Sequence, residues 1–397
     1  MLDHDDHRAI GPRLGLFHLQ DEAPGMVFWH PKGLVLVRAL EEAARRRCRA
    51  DGYLEVRTPQ LIRQPIWEKS GHWDHFQAGM FVVGDEGLAA ALKPVSCPGH
   101  IQIAQRGALS YRDLPLRLCE FGLCHRNEPS GTLHGLFRLR QFTQDDGHVF
   151  CADDQVLAEI VRFCRGAAAF YRAFGFDIVG VALSTRPPQR AGDDAVWDRA
   201  EALLAEGARA ADLAPILQPG EGAFYGPKLE FSLRDRLGRA WQCGTIQLDF
   251  VLPGRFGLHY IDDAGQRRRP AMLHRAIYGS LEHFLAIVLE QHGGALPPWL
   301  APVQIVVAPV GPAQRDAAVA AVAELQAAGL RAELDDRNET LARRVAEAHA
   351  QAIPYLAVLG AREVAAEQLA LRLRDEQRVL PRAQAIAELV AACAPPA

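Results

Sequence analysis

The stretch Phe121 to Phe150, FGLCHRNEPSGTLHGLFRLRQFTQDDGHVF, constrains the fold more than any other part of the chain. Apolar and polar residues alternate along its ends, and Pro129-Ser130-Gly131 interrupts it, so it predicts two strands joined by a flexible loop. Arg126 and Glu128 precede the loop, and the return strand is expected from Phe137 to Phe142 with Arg138 and Arg140 on one face. Guanidiniums fixed beside a loop suit a polyphosphate or a carboxylate, because Arg presents a planar fork of donors and stays charged at any working pH. An exposed, salt-bridged hairpin is the plain alternative. Gln144, Asp145, Asp146 and His148 then crowd an amide, two carboxylates and an imidazole into five positions, a mixture that gathers in sites more than in cores.

Length and composition bound the reading. At 397 residues the chain has room for two domains and a sizeable core. A net charge of −4 supplies no global positive field for nucleic acid. Eight cysteines without tight disulfide spacing read as a reduced, cytoplasmic protein. The acidic start MLDHDDHRAIG has no apolar core, so no secretory signal is expected, and His4 and His7 are expected in a solvated, flexible end. No apolar run approaches 18 residues, so no membrane span is expected.

Beside the opening stretch, EAPGMVFWHPKG (22–33), WEKSGHWDHF (67–76), SCPGH (96–100), SYRDLPLR (110–117), CHRNEPSG (124–131), LSTRP, EGAFYGPK (221–228), WQCGTIQLDF (241–250) and HRAIYGS (274–280) resemble the threonyl-tRNA synthetases, within the class II aminoacyl-tRNA synthetases, in order and spacing. The resemblance implies an α+β class II synthetase catalytic core over 1–300, an antiparallel sheet with flanking helices, followed by a small α/β anticodon-binding-type domain over 301–397. It implies ATP-dependent activation of L-threonine as threonyl-adenylate and transfer to tRNA(Thr), with Zn2+ and ATP with Mg2+ as cofactors and a homodimer as the assembly. It also implies a form without the N-terminal editing domains of most bacterial relatives. A paralogue serving a carrier protein or a small metabolite, and a catalytically impaired binding paralogue, are the alternatives.

Periodicity supplies the framework. Leu34 to Arg49 reads as a helix and Tyr53 to Val56 as a strand, the pair that in the resembled family builds much of the dimer interface; packing within one subunit is the alternative that periodicity leaves open. Val156 to Phe174 and Ala195 to Ala211 read as helices, Leu229 to Leu233 and Ala240 to Leu252 as strands of the same sheet as the opening hairpin. Pro297-Pro298-Trp299-Leu300-Ala301-Pro302 reads as a stiff linker, and beyond it strand and helix alternate. The first turn there, Ala308 to Pro312, lacks the glycines and donors of a phosphate cradle, which counts against a nucleotide-binding domain.

By resemblance, Cys97, His148 and His274 are the three protein ligands of a zinc with an open position, although Cys97 alone, in a Pro-Gly turn, reads as a small core residue. His100, His125 and His134 are competing imidazoles with packing or hydrogen-bonding roles. Asp146 is implied to accept the threonine hydroxyl proton, Gln144 and Tyr225 to hold the amino group, and Gln247 to line the pocket. Arg126 is implied to bridge carboxylate and α-phosphate, Glu128 to hold the adenine amino group, Phe142 to stack on the base, and Arg138 and Gln242 to contact phosphates or ribose. His72 and Lys228 belong near the acceptor adenosine, His72 either assisting transfer or forming a surface hydrogen bond. Asn338, Glu363 and Arg372 match anticodon-contacting positions.

Several positions depart from the family pattern. His283 stands where an arginine grips the γ-phosphate, and imidazole offers no bidentate fork, so weaker ATP binding is expected. Val95 and Gln141 are smaller departures beside the pocket. Residues 303–397 carry 10 Arg and no Lys against 12 acids, a net −2, where an anticodon grip calls for positive charge. Arg343 and Arg344 survive from a basic helix.

Overall fold

Strand pairing gathers most of the chain's long apolar segments into one eight-stranded sheet. The computed structural model describes residues 3–84, 89–372 and 376–395. In chain order the strands are β1 (Leu54–Glu55), β2 (Leu116–His125), β3 (Gln141–Cys151), β4 (Ile178–Ser184), β5 (Pro215–Gln218), β6 (Lys228–Arg234), β7 (Ala240–Asp249) and β8 (Ala271–Ala276). They lie side by side as β5-β4-β6-β7-β8-β3-β2-β1. The pairs are antiparallel except β4 with β5 and β1 with β2.

Most of Phe121 to Phe150 lies in β2 and β3, the second and third strands from the β1 edge, in register from Leu116↔Phe150 to His125↔Gln141. Its return strand begins at Gln141, not Phe137, so Arg138 and Arg140 belong to the loop. The cause is local: the amides of Arg140 and Gln141 both donate to Gly25 O, at 2.8 and 3.2 Å, which draws that segment away from β2. Strand β7 likewise ends at Asp249 rather than Leu252. The Asp249 carboxylate accepts from the amides of Val251 and Leu252 at 2.6 and 2.9 Å and turns the chain into a short helix, Leu252–Phe256.

The longer helices that accompany this sheet are α1 (Pro31–Ala50), α2 (Cys97–Ala104), α3 (Val156–Ala173), α4 (Asp194–Ala210) and α5 (Leu281–His292). In α3 the residues Val156, Ile160, Phe163, Ala167 and Phe170 recur every three or four positions and are buried. Asp193 caps α4 by accepting from Val196 N. Cys97 is the first residue of α2, not part of a free turn, and Pro98 is tolerated there because first-turn amides need no helical acceptor.

The carboxy-terminal strands are β9 (Ile305–Pro309), β10 (Ala332–Leu334), β11 (Tyr355–Leu359), β12 (Gln368–Arg372) and β13 (Gln377–Pro381), ordered β10-β9-β11-β12-β13. The first three are parallel, whereas β11, β12 and β13 are antiparallel neighbours, so the alternation of strand and helix gives way at the end to a hairpin. Helices α6 (Arg315–Ala327), α7 (Leu341–Ala350), α8 (Ala361–Ala365) and α9 (Arg382–Ala392) flank this sheet. Ile305, Val307, Leu325, Leu369 and Leu389 belong to its core.

Among the described residues two compact units emerge, one from Met1–His18, Phe28–Ala39 and Val288–Ala397, the other from Leu19–Val27 and Leu40–Ile287. In the first, His7 corrects the expectation of a solvated end. It opens a helix, His7–Leu14, and is buried with its Nδ1 2.6 Å from Glu290 Oε1, while His4 stays exposed. Leu300 and Ala301 are buried, and Arg331 donates to the carbonyls of Trp299 and Ala301 at 2.7 and 2.9 Å, so the proline-rich segment is packed down rather than free. Among the described residues no helix is long and apolar enough to cross a membrane.

Candidate active site

A cavity of about 510 Å³ opens over the middle of the eight-stranded sheet. Antiparallel register builds its floor. Lys228 on β6 lies opposite Gln247 on β7, Gln247 opposite His274 on β8, and His274 opposite His148 on β3, one row across four strands. Period-two alternation adds Gln144 and Asp146 on the same face of β3. Arg126, Glu128, Arg138, Phe142, Tyr225, Gln242 and His283 also line the cavity, with Cys97 at its inner wall.

Cys97, His148 and His274 present ligand atoms that all lie within 4.8 Å of one another. His274 Nε2 meets Asp249 Oδ2 at 3.0 Å, so that nitrogen carries the proton and Nδ1 keeps its lone pair. His148 Nδ1 contacts His100 Nδ1 at 2.8 Å, and His100 Nε2 lies 3.2 Å from Glu120 Oε2. The carboxylate orients that chain: His100 donates from Nε2, His148 donates from Nδ1, and His148 Nε2 keeps its lone pair. His148 Nε2 and His274 Nδ1 then face each other at 3.1 Å, lone pair to lone pair, an arrangement that a cation between them resolves. Burial pushes the Cys97 thiol well above its ordinary value, with the Asp146 and Asp249 charges adding, and burial followed by His100 and His274 holds His148 neutral. One sulfur and two imidazoles, the two rings backed by His100 and Asp249, fit a zinc-type donor set.

Asp146 Oδ2 accepts from Ser96 N at 3.2 Å, and its Oδ1 lies 3.6 Å from His148 Nε2. Tyr225 donates to Gln247 Oε1 at 3.0 Å, and its ring lies 5.0 Å from that of His274. Arg126 spreads its guanidinium 5.0 Å from the Phe142 ring centre and donates to Pro94 O at 3.3 Å. Arg138 pairs with Glu128 at 2.8 Å, Lys228 with Glu230 at 2.8 Å, and Gln242 donates to Thr245 Oγ1 at 3.1 Å. His283 packs edge-on against Phe137 and Trp241, its Nδ1 3.3 Å from Phe137 O.

His72 stands apart from the cavity lining. It is buried rather than at the surface, its Nδ1 2.8 Å from Ser70 Oγ, and its ring is edge-on to Trp67 and Phe224. Burial lowers its pKa to about 3. In the other unit Asn338 is exposed in the loop after β10, and Glu363 caps α8 by accepting from Gly360 N at 2.9 Å. Arg372 lies opposite Leu356, at the other end of β11 from Glu363, so the strand pair separates these two residues. Arg344 is buried and donates to the carbonyls of Asp335 and Pro309, while Arg343 pairs with Glu339 and Glu347. The two surviving basic residues are thereby engaged within their own domain.

Sequence reasoning passed over Asp249, Glu120 and Lys93, which support the ligands from behind, whereas His100 takes the hydrogen-bonding role expected of it. Asp249 was accessible through alternation with Gln247 along β7, and Glu120 through its register opposite Asp146. On the opposite face of β3, Asp145 accepts from the amides of Ile277 and Tyr278 at 2.7 and 3.0 Å and from Arg275 at 3.4 Å. Burial raises Asp145 to about 7 despite that arginine. Gly147 is required there, since a Cβ would sit 2.4 Å from Arg275 Nε.

Fold and site together define a class II aminoacyl-tRNA synthetase architecture. Residues 81–292 match the tRNA synthetase class II core domain of the G, H, P, S and T group, and 304–392 match an anticodon-binding domain. The chain belongs to the threonyl-tRNA synthetase family. It is 53% identical over 370 residues to a threonine–tRNA ligase of Dichelobacter nodosus, covering 93% of this chain and 58% of that one. It therefore spans little more than half the length of the curated relatives it matches. A crystal structure of the RNA-binding domain of threonyl-tRNA synthetase from Cryptosporidium parvum superposes with a TM-score of 0.96 at 37% identity, covering 99% of both chains. A putative threonyl-tRNA synthetase of Aeropyrum pernix follows at a TM-score of 0.82 and 27% identity, covering 99% of this chain and 96% of its own.

Proposed function

We propose that this chain activates L-threonine with ATP as threonyl-adenylate and transfers it to tRNA(Thr). The observation that carries the reading is the lone-pair-facing His148 and His274, 3.1 Å apart beside Cys97, in the same cavity as Asp146 and Arg126. A zinc ion held by Cys97, His148 and His274 would supply Lewis acidity toward the amino group and hydroxyl of threonine.

The remaining work falls to side chains. Asp146, steadied by Ser96 N, accepts the hydroxyl hydrogen bond of threonine. Valine has no hydroxyl, so a pocket built around that contact rejects it by several orders of magnitude, while serine, lacking only a methyl, loses roughly 1–3 kcal/mol. Gln144 and Tyr225 hold the amino group, and Gln247 fixes Tyr225 from the next strand. As the threonine carboxylate attacks the α-phosphorus and pyrophosphate departs, Arg126 stabilises the charge that builds on the phosphoryl oxygens. Glu128 receives the adenine amino group, Phe142 stacks on the base, and Arg138, Gln242 and His283 face the phosphates and ribose of ATP with its Mg2+. At the acceptor end Lys228 neutralises phosphate, and His72, made a weak base by its burial, positions the ribose rather than taking its proton.

The catalytic domain runs to about residue 300, and the anticodon-type domain from 301 receives tRNA through Asn338, Glu363 and Arg372. A cytoplasmic homodimer is assembled through α1 and β1, where Leu54 is 60% exposed. Threonine-dependent ATP–pyrophosphate exchange, run beside aminoacylation of tRNA(Thr), tests this. Exchange with charging is expected. Exchange without charging moves the acceptor elsewhere, and no exchange with any amino acid overturns the activation step.

A further inference from the structure

Behind the eight-stranded sheet two buried thiols meet beside a guanidinium. Cys48, near the end of α1, and Cys119, on β2, are 5% and 4% exposed. Glu55 pairs with Cys119 in the sheet, and two residues earlier the amide of Tyr53 donates to Cys48 O at 2.9 Å, which brings the two thiols to neighbouring positions. Arg275 Nη2 donates to the Cys48 sulfur at 2.8 Å. That guanidinium also stacks 4.4 Å over the Tyr53 ring and reaches the Asp145 carboxylate at 3.4 Å. Cys48 and Arg275 line a narrow cleft of about 10 Å³ with Asp51, Tyr53 and Glu159, room for about one water-sized molecule.

The other thiols differ. Burial raises Cys97, Cys124, Cys151, Cys164, Cys243 and Cys393. The hydrogen bond from Cys119, and after it the Arg275 charge, draw Cys48 down against its burial. A sulfur held by a guanidinium at 2.8 Å, with a second thiol beside it and a small cleft at the first, is the microenvironment of an oxidisable pair.

We propose that Cys48 and Cys119 are a reversible oxidation site, in which Cys48 reacts with a hydroperoxide and Cys119 resolves the product to a disulfide. The Cys48 thiolate attacks one peroxide oxygen and the O–O bond breaks. Sulfur becomes a sulfenic acid, and the hydroxide that leaves takes a proton from solvent. Cys119 then attacks the sulfenic sulfur, and its thiol proton departs with the sulfenic oxygen as water. Two thiols have lost one electron each and one peroxide has been reduced to two waters. A dithiol reductant reverses the change. Oxidation removes the anionic sulfur from Arg275 and leaves it Asp145 and the Tyr53 ring, directly behind Gln144, Asp146 and His274.

The test treats the full zinc-loaded chain with hydrogen peroxide and maps cysteines by mass spectrometry after alkylation under denaturing conditions. A Cys48–Cys119 linkage that disappears on reduction is expected. Cys119→Ser should leave a Cys48 sulfenic acid that a 1,3-diketone traps, and Cys48→Ser should leave Cys119 reduced, with peroxide consumption at this site lowered on the order of tenfold or more. Both thiols remaining reduced in wild type, or Cys48 paired elsewhere, would overturn the proposal, as would absence of the trapped adduct in Cys119→Ser. These readouts are chemical and stand whether or not the chain activates threonine.

Discussion

Replacing Glu120 by Gln should remove a pH-dependent share of stability whose size follows from the carboxylate's surroundings. Glu120 is 3% exposed and accepts from Lys93 Nζ at 2.7 Å, Thr58 N at 3.0 Å and Thr58 Oγ1 at 2.8 Å, with His100 Nε2 at 3.2 Å. Burial by itself would raise its pKa, but the bonds from His100 and Lys93 outweigh burial and hold it at about 2, against 4.5 for a free glutamate. A carboxylate lowered in the folded state contributes stability that is fully present above the unfolded value and is lost as pH falls through the folded one. With those two values the contribution is about 3 kcal/mol at pH 7 and about 1 kcal/mol at pH 3. Glutamine cannot ionise, so Glu120→Gln lacks it at every pH, on top of a fixed cost for leaving Lys93 without its counter-ion. Urea unfolding of both proteins between pH 7 and pH 3 should show the stability gap narrowing by about 2 kcal/mol. A gap that holds constant across that range would refute the reasoning.

Two further outcomes follow from the same site. Asp249→Asn loses the carboxylate that holds the proton on His274 Nε2 at 3.0 Å, so zinc affinity should fall roughly 10- to 100-fold in competition with a chromophoric chelator; unchanged affinity would break the assignment of His274 Nδ1 as the ligand atom. His283→Arg introduces a permanent charge at the cavity wall, and ATP binding should tighten by the roughly 1.5–3 kcal/mol of a charged hydrogen bond, with an unchanged ATP titration as the contrary result.

The sheet was legible because its strands alternate, and the helices because their buried positions recur every three or four residues. Boundaries set by side chains and distant carbonyls were not. Nothing in FRLRQF announces that Gly25 O claims the amides of Arg140 and Gln141, and nothing in IQLDFVL says that Asp249 will cap the turn that ends β7. Strand β13 escaped because QRVLP is mostly exposed and carries no alternating apolar face. Cys97, His148 and His274 are 51 and 126 positions apart in sequence and meet only through register, so the family resemblance, not their spacing, singled them out. Lys93 and Glu120 look like surface residues in sequence, and only pairing with each other lets both be buried.

The two faces of β3 have consequences for how this protein can change. Gln144, Asp146 and His148 look into the cavity, while Asp145 and Gly147, one residue away, are tied to Arg275 and the turn after β8. On the proposed activation of threonine, adaptation to a different amino acid would proceed through alternate positions of a single strand. A randomised library confined to 144 and 146 should yield folded proteins with altered selectivity, whereas the same diversity at 145 and 147 should yield mostly insoluble ones.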